Sequence, residues 1–241
     1  MHSEIDSSGQ LRTFFVLFSS CENKTIRDKE GLIVYQENQI SWIRNFEPLN
    51  PVSIPRWPTR GGIYESLYLN NPITTDWVPW LATNFKWENN NKKLLFTIRP
   101  NVQWSDGKPF SAHDVAYTLN LWNQYPALDT RNAWEYLKSV VAVSDTLVQI
   151  DFKRIYVPGF EAIAGAPIIP KHIWEELKDP LDFSNPNPVG TGPFTEILRF
   201  NTQVWELGKN HNYFQKGKPY VEKLIFPTFS TNEQTTLALL S

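Results

Sequence analysis

The chain has 241 residues, of which 41% are hydrophobic, 14% aromatic and 20% charged, a globular composition with ample material for a core. Its 23 Lys+Arg against 25 Asp+Glu give a formal net charge of −2 without any basic run, which excludes a nucleic-acid or anionic-membrane footprint. A single cysteine excludes an internal disulfide and a Cys-based zinc site, four histidines without H-E-x-x-H spacing leave a metal enzyme unsupported, and no apolar run approaches the length of about 18 residues that a membrane span needs.

The first segment, 1–30, is set apart from the rest. Leu11-Arg12-Thr13-Phe14-Phe15-Val16-Leu17-Phe18-Ser19-Ser20-Cys21 resembles the end of a bacterial lipoprotein signal, in which the cysteine becomes the lipidated first residue. Glu4, Asp6 and Arg12 depart from the basic start and unbroken apolar run of such a signal. Two readings stay open: an export-signal remnant with Cys21 as lipid attachment, or a floppy arm with a free thiol. Neither makes Cys21 a catalytic nucleophile, because nothing near it in sequence would depress its pKa. Residues 22–30 are charged and apolar-poor, as in a linker.

A β-branched and aromatic run predicts a strand over 31–40. Residues 41–58 carry Asn45, Pro48, Asn50, Pro51, Pro55 and Pro58, too many breakers for a regular element, and read as a loop holding Trp42, Phe46 and Trp57. Helical spacing of Ile63 and Leu67 predicts a short helix over 61–68. Two strand-like runs, 81–87 and 93–98, flank Glu88-Asn89-Asn90-Asn91 and read as a hairpin. Asp106-Gly107 marks a tight turn. Ser111-Ala112-His113-Asp114 is a capping box opening a helix that runs to about Tyr125, where Pro126 stops it. His113 and Asp114 diverge by about 100° on adjacent helical positions, so the carboxylate is read as a cap and not as half of an acid/base pair.

Beyond it the pattern predicts a second helix over 130–138, two strands over 140–152 around Ser144-Asp145, and a helix over 171–178 behind Pro170. A Pro/Gly-rich loop follows at 185–193, then strands over 195–207 and 220–226 and a helix from 231. That last run carries no C-terminal stop signal before residue 241, so the element is expected to continue. Trp80, Trp87, Trp104, Trp122, Trp134 and Trp174 fall in the periodic apolar pattern and are expected in the core.

Four motifs point to one family. The stretch 98–115, with Arg99, Trp104, Asp106-Gly107 and Ala112-His113-Asp114-Val115, resembles the signature of the extracellular solute-binding proteins that feed ABC importers of peptides and oligosaccharides (the oligopeptide/dipeptide-binding type, bacterial solute-binding family 5). Pro188-Val189-Gly190-Thr191-Gly192-Pro193-Phe194 is similar to a second hallmark. Gly62-Ile63-Tyr64-Glu65-Ser66-Leu67 with Pro79-Trp80-Leu81-Ala82 supplies a third, and Pro167-Ile168-Ile169-Pro170-Lys171-His172-Ile173-Trp174 a fourth. Ser105, where His is common, and Phe194, for the usual Tyr, depart from the pattern.

The resemblance implies an α/β protein, the first lobe of a two-lobed clamp that closes on its ligand, with a mixed core sheet from 31–56 and 190–241 and an inserted α/β subdomain over 57–189; the family's second lobe would follow. It implies a binding protein with no catalytic residues, no cofactor and no metal, whose partners are an oligosaccharide or oligopeptide ligand and a membrane permease. It also implies a monomer in the periplasm or on the outer face of the cytoplasmic membrane, touching the membrane only through a possible lipid anchor. Richness in Trp favours the oligosaccharide branch. Trp42, Asn45, Phe46 and Trp57 are the candidate ligand contacts, because a loop directly after a strand is where α/β proteins place them. A phosphate loop is excluded, since Gly190-Thr191-Gly192 lacks both G-x-G-x-x-G spacing and a Walker lysine. A glycosidase needs two facing carboxylates, and no pair stands out among the acidic residues.

Overall fold

The computed structural model describes residues 4–5, 11–12, 31–35, 40–49 and 58–240; Cys21 and Trp57 lie outside the described residues. Strands β1 (Glu4–Ile5) and β2 (Leu11–Arg12) form a short antiparallel pair. Of the strand expected over 31–40, β3 (Leu32–Ile33) is present. The segment 61–68 is not helical. Gly62 and Ile63 donate back to the Pro58 carbonyl while their own carbonyls accept from Phe194 and Gly192. A helix would withdraw those carbonyls into its own ladder, so the tertiary pairing overrides the spacing. The chain instead enters β4 (Tyr68–Asn70), which pairs with β5 (Trp77–Pro79) in a hairpin that the pattern did not predict.

The hairpin read from the asparagine cluster is present as β6 (Ala82–Glu88) and β7 (Lys93–Ile98). Asn89, Asn90 and Asn91 all adopt positive φ, of 49°, 50° and 60°, a conformation in which Asn is enriched over other non-glycine residues. Helix α1 (Ala112–Gln124) starts at the expected box: Ser111 Oγ accepts from His113 N at 3.2 Å, and Asp114 Oδ2 accepts from Ser111 N at 2.9 Å. It ends one residue before Tyr125-Pro126. The helix expected over 130–138 reduces to a single 3-10 turn, Ala133–Glu135. Asn132 takes φ 52° and the Asp129 carboxylate draws the Ala133 and Trp134 amides, both at 2.8 Å, so the turn is capped locally and the chain leaves as a strand.

That strand, β8 (Leu137–Ser144), and β9 (Leu147–Phe152) complete a four-stranded antiparallel sheet in the order β6-β7-β9-β8. Period-two alternation puts Leu94, Phe96 and Ile98 of β7 and Val148, Ile150 and Phe152 of β9 on one buried face, which α1 joins with Val115, Leu119 and Trp122. Helices α2 (Gly159–Ala164) and α3 (Lys171–Trp174) are short. The long strand expected over 195–207 is a hairpin, β10 (Phe194–Phe200) and β11 (Val204–Lys209), because Asn201 Oδ1 takes the Gln203 and Val204 amides and turns the chain.

With β12 (Lys223–Pro227) these strands form a second sheet, β10-β11-β12-β3, antiparallel except for the parallel β12–β3 pair. Its core is aromatic: Trp205 and Phe226 stack with centroids 4.1 Å apart and planes 9° from parallel. Helix α4 (Asn232–Leu240) closes the described chain. The architecture is the mixed α/β arrangement expected. Among the described residues no helix is long and apolar enough to cross a membrane.

Candidate ligand-binding site

The four sequence motifs, dispersed between residues 62 and 194, meet at one place. Gly192 donates to the Ile63 carbonyl at 2.9 Å and Phe194 to the Gly62 carbonyl at 3.2 Å. Ser105, in the Asp-Gly turn, donates to the Gly190 carbonyl at 2.9 Å and its hydroxyl receives the Gly190 amide at 3.3 Å. Ile168 donates to the Glu65 carbonyl at 3.0 Å, and the Lys171 amide to Asp114 Oδ1, also at 3.0 Å. His172 Nε2 contacts Asp106 Oδ2 at 2.8 Å. Each motif thus satisfies main-chain or side-chain groups of another, which explains why these residue types occur together.

At the centre sits Glu65, 2% exposed. Its Oε1 accepts from Trp80 Nε1 at 2.7 Å and from the Tyr213 hydroxyl at 3.1 Å. Burial pushes the carboxyl up to about 7, offset in part by the Trp80, Thr191 and Tyr213 hydrogen bonds and the Arg99 charge. Arg99 itself donates from Nε to the Trp80 carbonyl at 2.6 Å and lies 5.3 Å over the Phe214 ring. Burial likewise raises the Asp114 carboxyl, against the Lys171 and Ser111 amides. Glu65 and Thr191 at this hub are buried.

A cleft whose empty space, counting the part open to solvent, is about 390 Å³ is lined by Leu49, Arg60, Trp122, Leu128, Asp129 and Arg131 among others. Its walls come from the end of the 40–49 loop, from the close of α1 and from the turn after it. Arg60 is tethered by Nε to the Pro48 carbonyl at 2.7 Å, and Arg131 by Nη1 to the Glu161 carbonyl at 2.7 Å. Burial holds Arg60 below the usual arginine value; the Glu47 carboxylate opposes this and the Arg131 charge adds to it. The Arg131 charge is the smallest of these three influences, below the Glu47 carboxylate.

Trp42 and Phe46, expected to face a ligand, are 8% and 3% exposed. Trp42 packs edge-on against Trp205 and Phe226 with centroids at 6.0 and 6.3 Å, and Phe46 against Phe200 and Trp205 at 6.1 and 5.3 Å. Their rings anchor the loop to the second sheet and present no open platform in this structure. Asn45 is exposed, and its Oδ1 accepts from the Glu47 amide at 3.0 Å. The loop does reach the cleft, through Leu49. Of the six tryptophans expected in the core, Trp104, Trp122 and Trp174 are buried, while Trp80, Trp87 and Trp134 are partly buried against it. Arg60 and Arg131 went unread because isolated arginines far apart in sequence carry no pattern. The turn that positions Arg131 was masked by the helical reading of 130–138.

The chain is similar to proteins of known kind. The model of the bacterial extracellular solute-binding proteins, family 5, matches residues 76–241. The nickel-binding periplasmic protein of Escherichia coli is 29% identical over 201 residues, covering 77% of this chain and 36% of its own. The oligopeptide-binding protein AppA of Bacillus subtilis is 30% identical over 138 residues, 54% of this chain and 25% of its own. Among solved structures, a periplasmic oligopeptide-binding protein of an ABC transporter from Thermotoga maritima superposes with a TM-score of 0.79 at 26% identity, covering 88% of this chain and 40% of that one. The same protein with mannohexaose bound gives 0.77 at 25% identity and the same coverage. The chain spans about two fifths or less of the length of these relatives. All are named as binding proteins, and none is named as a glycosidase. On the family match over 76–241, the chain belongs to the bacterial extracellular solute-binding proteins of family 5.

Proposed function

We propose that this chain forms the ligand-capturing first lobe of the substrate-binding component of an ABC importer, acting outside the cytoplasmic membrane and delivering its solute to a membrane permease. The observation that carries this reading is the family match over 76–241, joined to a cleft walled by the loop after β3 and the turn after α1. The core sheet is assigned to 31–56 with 190–241 and the inserted subdomain to 57–189. An oligosaccharide is the proposed ligand, on the strength of the mannohexaose-bound relative. A second reading, an oligopeptide, is favoured by the Arg60 and Arg131 pair, which suits a carboxylate, and by the peptide-binding relatives. Thermal shift of the full-length protein discriminates: ligand at about 100 Kd adds roughly 2.7 kcal/mol of stability. A raised Tm with manno-oligosaccharides and none with peptides supports the first reading; the reverse pattern supports the second.

Within this proposal Trp57 is the aromatic ligand contact, since the residues on either side of its segment, Leu49 and Arg60, line the cleft. Stacking one sugar face on an indole removes on the order of 100 Å² from water, roughly 1–2.5 kcal/mol. Trp57→Ala in the full-length protein should weaken binding about 5- to 70-fold in a titration calorimeter. Unchanged affinity for every ligand that stabilises the parent would remove Trp57 from the site.

A further inference from the structure

A groove runs between the close of α1 and the 3-10 turn Ala133–Glu135. Its volume is about 200 Å³, and Trp122, Asn123, Asp129, Asn132, Trp134 and Glu135 are among the residues that line it. Trp122 and Asp129 also line the cleft described above, so the two spaces adjoin. The walls are held in place by the fold itself. Trp134, partly buried, is fixed at two points: Nε1 donates to the Leu119 carbonyl at 2.6 Å and its amide to Asp129 Oδ2 at 2.8 Å. Lys153 Nζ donates to the Trp134 carbonyl at 2.9 Å and Arg154 Nη2 to Glu135 Oε1 at 3.0 Å, which pins the turn. Asn123 and Asn132 differ from these residues. Both are exposed, and their side-chain amides have no hydrogen-bond partner among the described residues.

These groups select a class of ligand. Two carboxylates and no lysine, arginine or histidine line the groove, so an anion would meet repulsion there without a counter-charge. Neither carboxylate calls for a cation: Asp129 uses both oxygens on the Ala133 and Trp134 amides, and Glu135 is paired with Arg154. A peptide chain finds no free strand edge, since the walls are the end of a helix and turns. What remains is a fixed indole, which can cover a C–H face, beside two unpaired amides, which can both donate to and accept from hydroxyl groups. We propose that this groove binds an uncharged sugar unit and forms an outer subsite for the oligosaccharide assigned to the adjoining cleft, an inference that rests on that assignment. Because the indole is already immobilised, binding there orders little that was free.

Calorimetric titration of the full-length protein with mannobiose and with mannohexaose tests this. The ratio of mannohexaose to mannobiose affinity should fall about 5- to 70-fold in Trp134→Ala, the range for uncovering one sugar face. In Asn123→Ala it should fall about 2- to 13-fold, the range for one lost hydrogen bond. Mannobiose affinity should stay at the parent's value in both, which a general loosening of the fold would not allow. An unchanged ratio in Trp134→Ala overturns the subsite and leaves the oligosaccharide reading standing. A parent that binds neither sugar overturns that reading and the subsite with it. Asn123→Ala exchanges an exposed helical side chain for the best helix former, so if Trp134→Ala does not fold, the ratio in Asn123→Ala decides.

Discussion

Gly192→Ala should strip the protein of a large part of its stability. A Cβ at this position would stand 2.1 Å from the Gly62 carbonyl oxygen and 2.8 Å from that of Ile63, and at Gly190 it would stand 2.0 Å from the Ile63 oxygen. No real Cβ approaches backbone so closely, and these carbonyls cannot withdraw without breaking the Gly192–Ile63 and Phe194–Gly62 hydrogen bonds. The requirement is for space, since neither glycine has a positive φ. A loss of about 4 kcal/mol or more is expected, out of a total that is typically about 5–15. Gly107→Ala is the control: φ is +85° but nothing lies within 4 Å, so only conformational strain of about 1 kcal/mol is expected. Urea unfolding of both variants separates the two causes, and equal losses would remove the clash as the reason for Gly192.

The motif hub shows what sequence can and cannot carry. Its members were legible because each is a short run with local chemistry: a capping box, an Asp-Gly turn, a Gly-x-Gly-Pro loop. That these runs dock on one another was not legible, since Glu65 reads as one of 25 acidic residues until Trp80 and Tyr213 close over it. The hairpins β6–β7 and β8–β9 were readable for the same reason that the helix α1 was: alternation or capping sits inside the element. The errors at 61–68 and 130–138 arose where distant partners decide the backbone, Gly192 and Phe194 in the first case, and where a local carboxylate competes with the helical ladder, Asp129 in the second. Cleft residues were the least legible of all, because a binding wall is assembled from single residues on separate elements.

The same contrast gives the sharpest expectation for the loop after β3. A flat ring on a proline-rich loop suggests a ligand platform, and that reading makes Trp42→Ala nearly neutral for stability. The structure gives the opposite expectation. Trp42 is 8% exposed, its amide donates to the Thr202 carbonyl at 3.0 Å, and its ring fills the angle between Trp205 and Phe226. Phe46 packs on the same Trp205, and Arg44 fastens the loop from outside, Nε to the Pro186 carbonyl at 2.8 Å and Nη2 to Asn187 Oδ1 at 2.6 Å. Deleting a buried indole removes its apolar contacts and leaves a cavity, so Trp42→Ala should cost about 3–5 kcal/mol. Trp42→Phe, which keeps a ring edge toward Trp205, should recover more than half of that loss. Because Leu49, at the end of this loop, lines the cleft, ligand affinity should fall in Trp42→Ala through loosening of the loop and return in Trp42→Phe. Denaturant unfolding beside calorimetric titration of the full-length protein reads both quantities: an unchanged stability with affinity lost in both variants would restore Trp42 to the ligand's side of the wall.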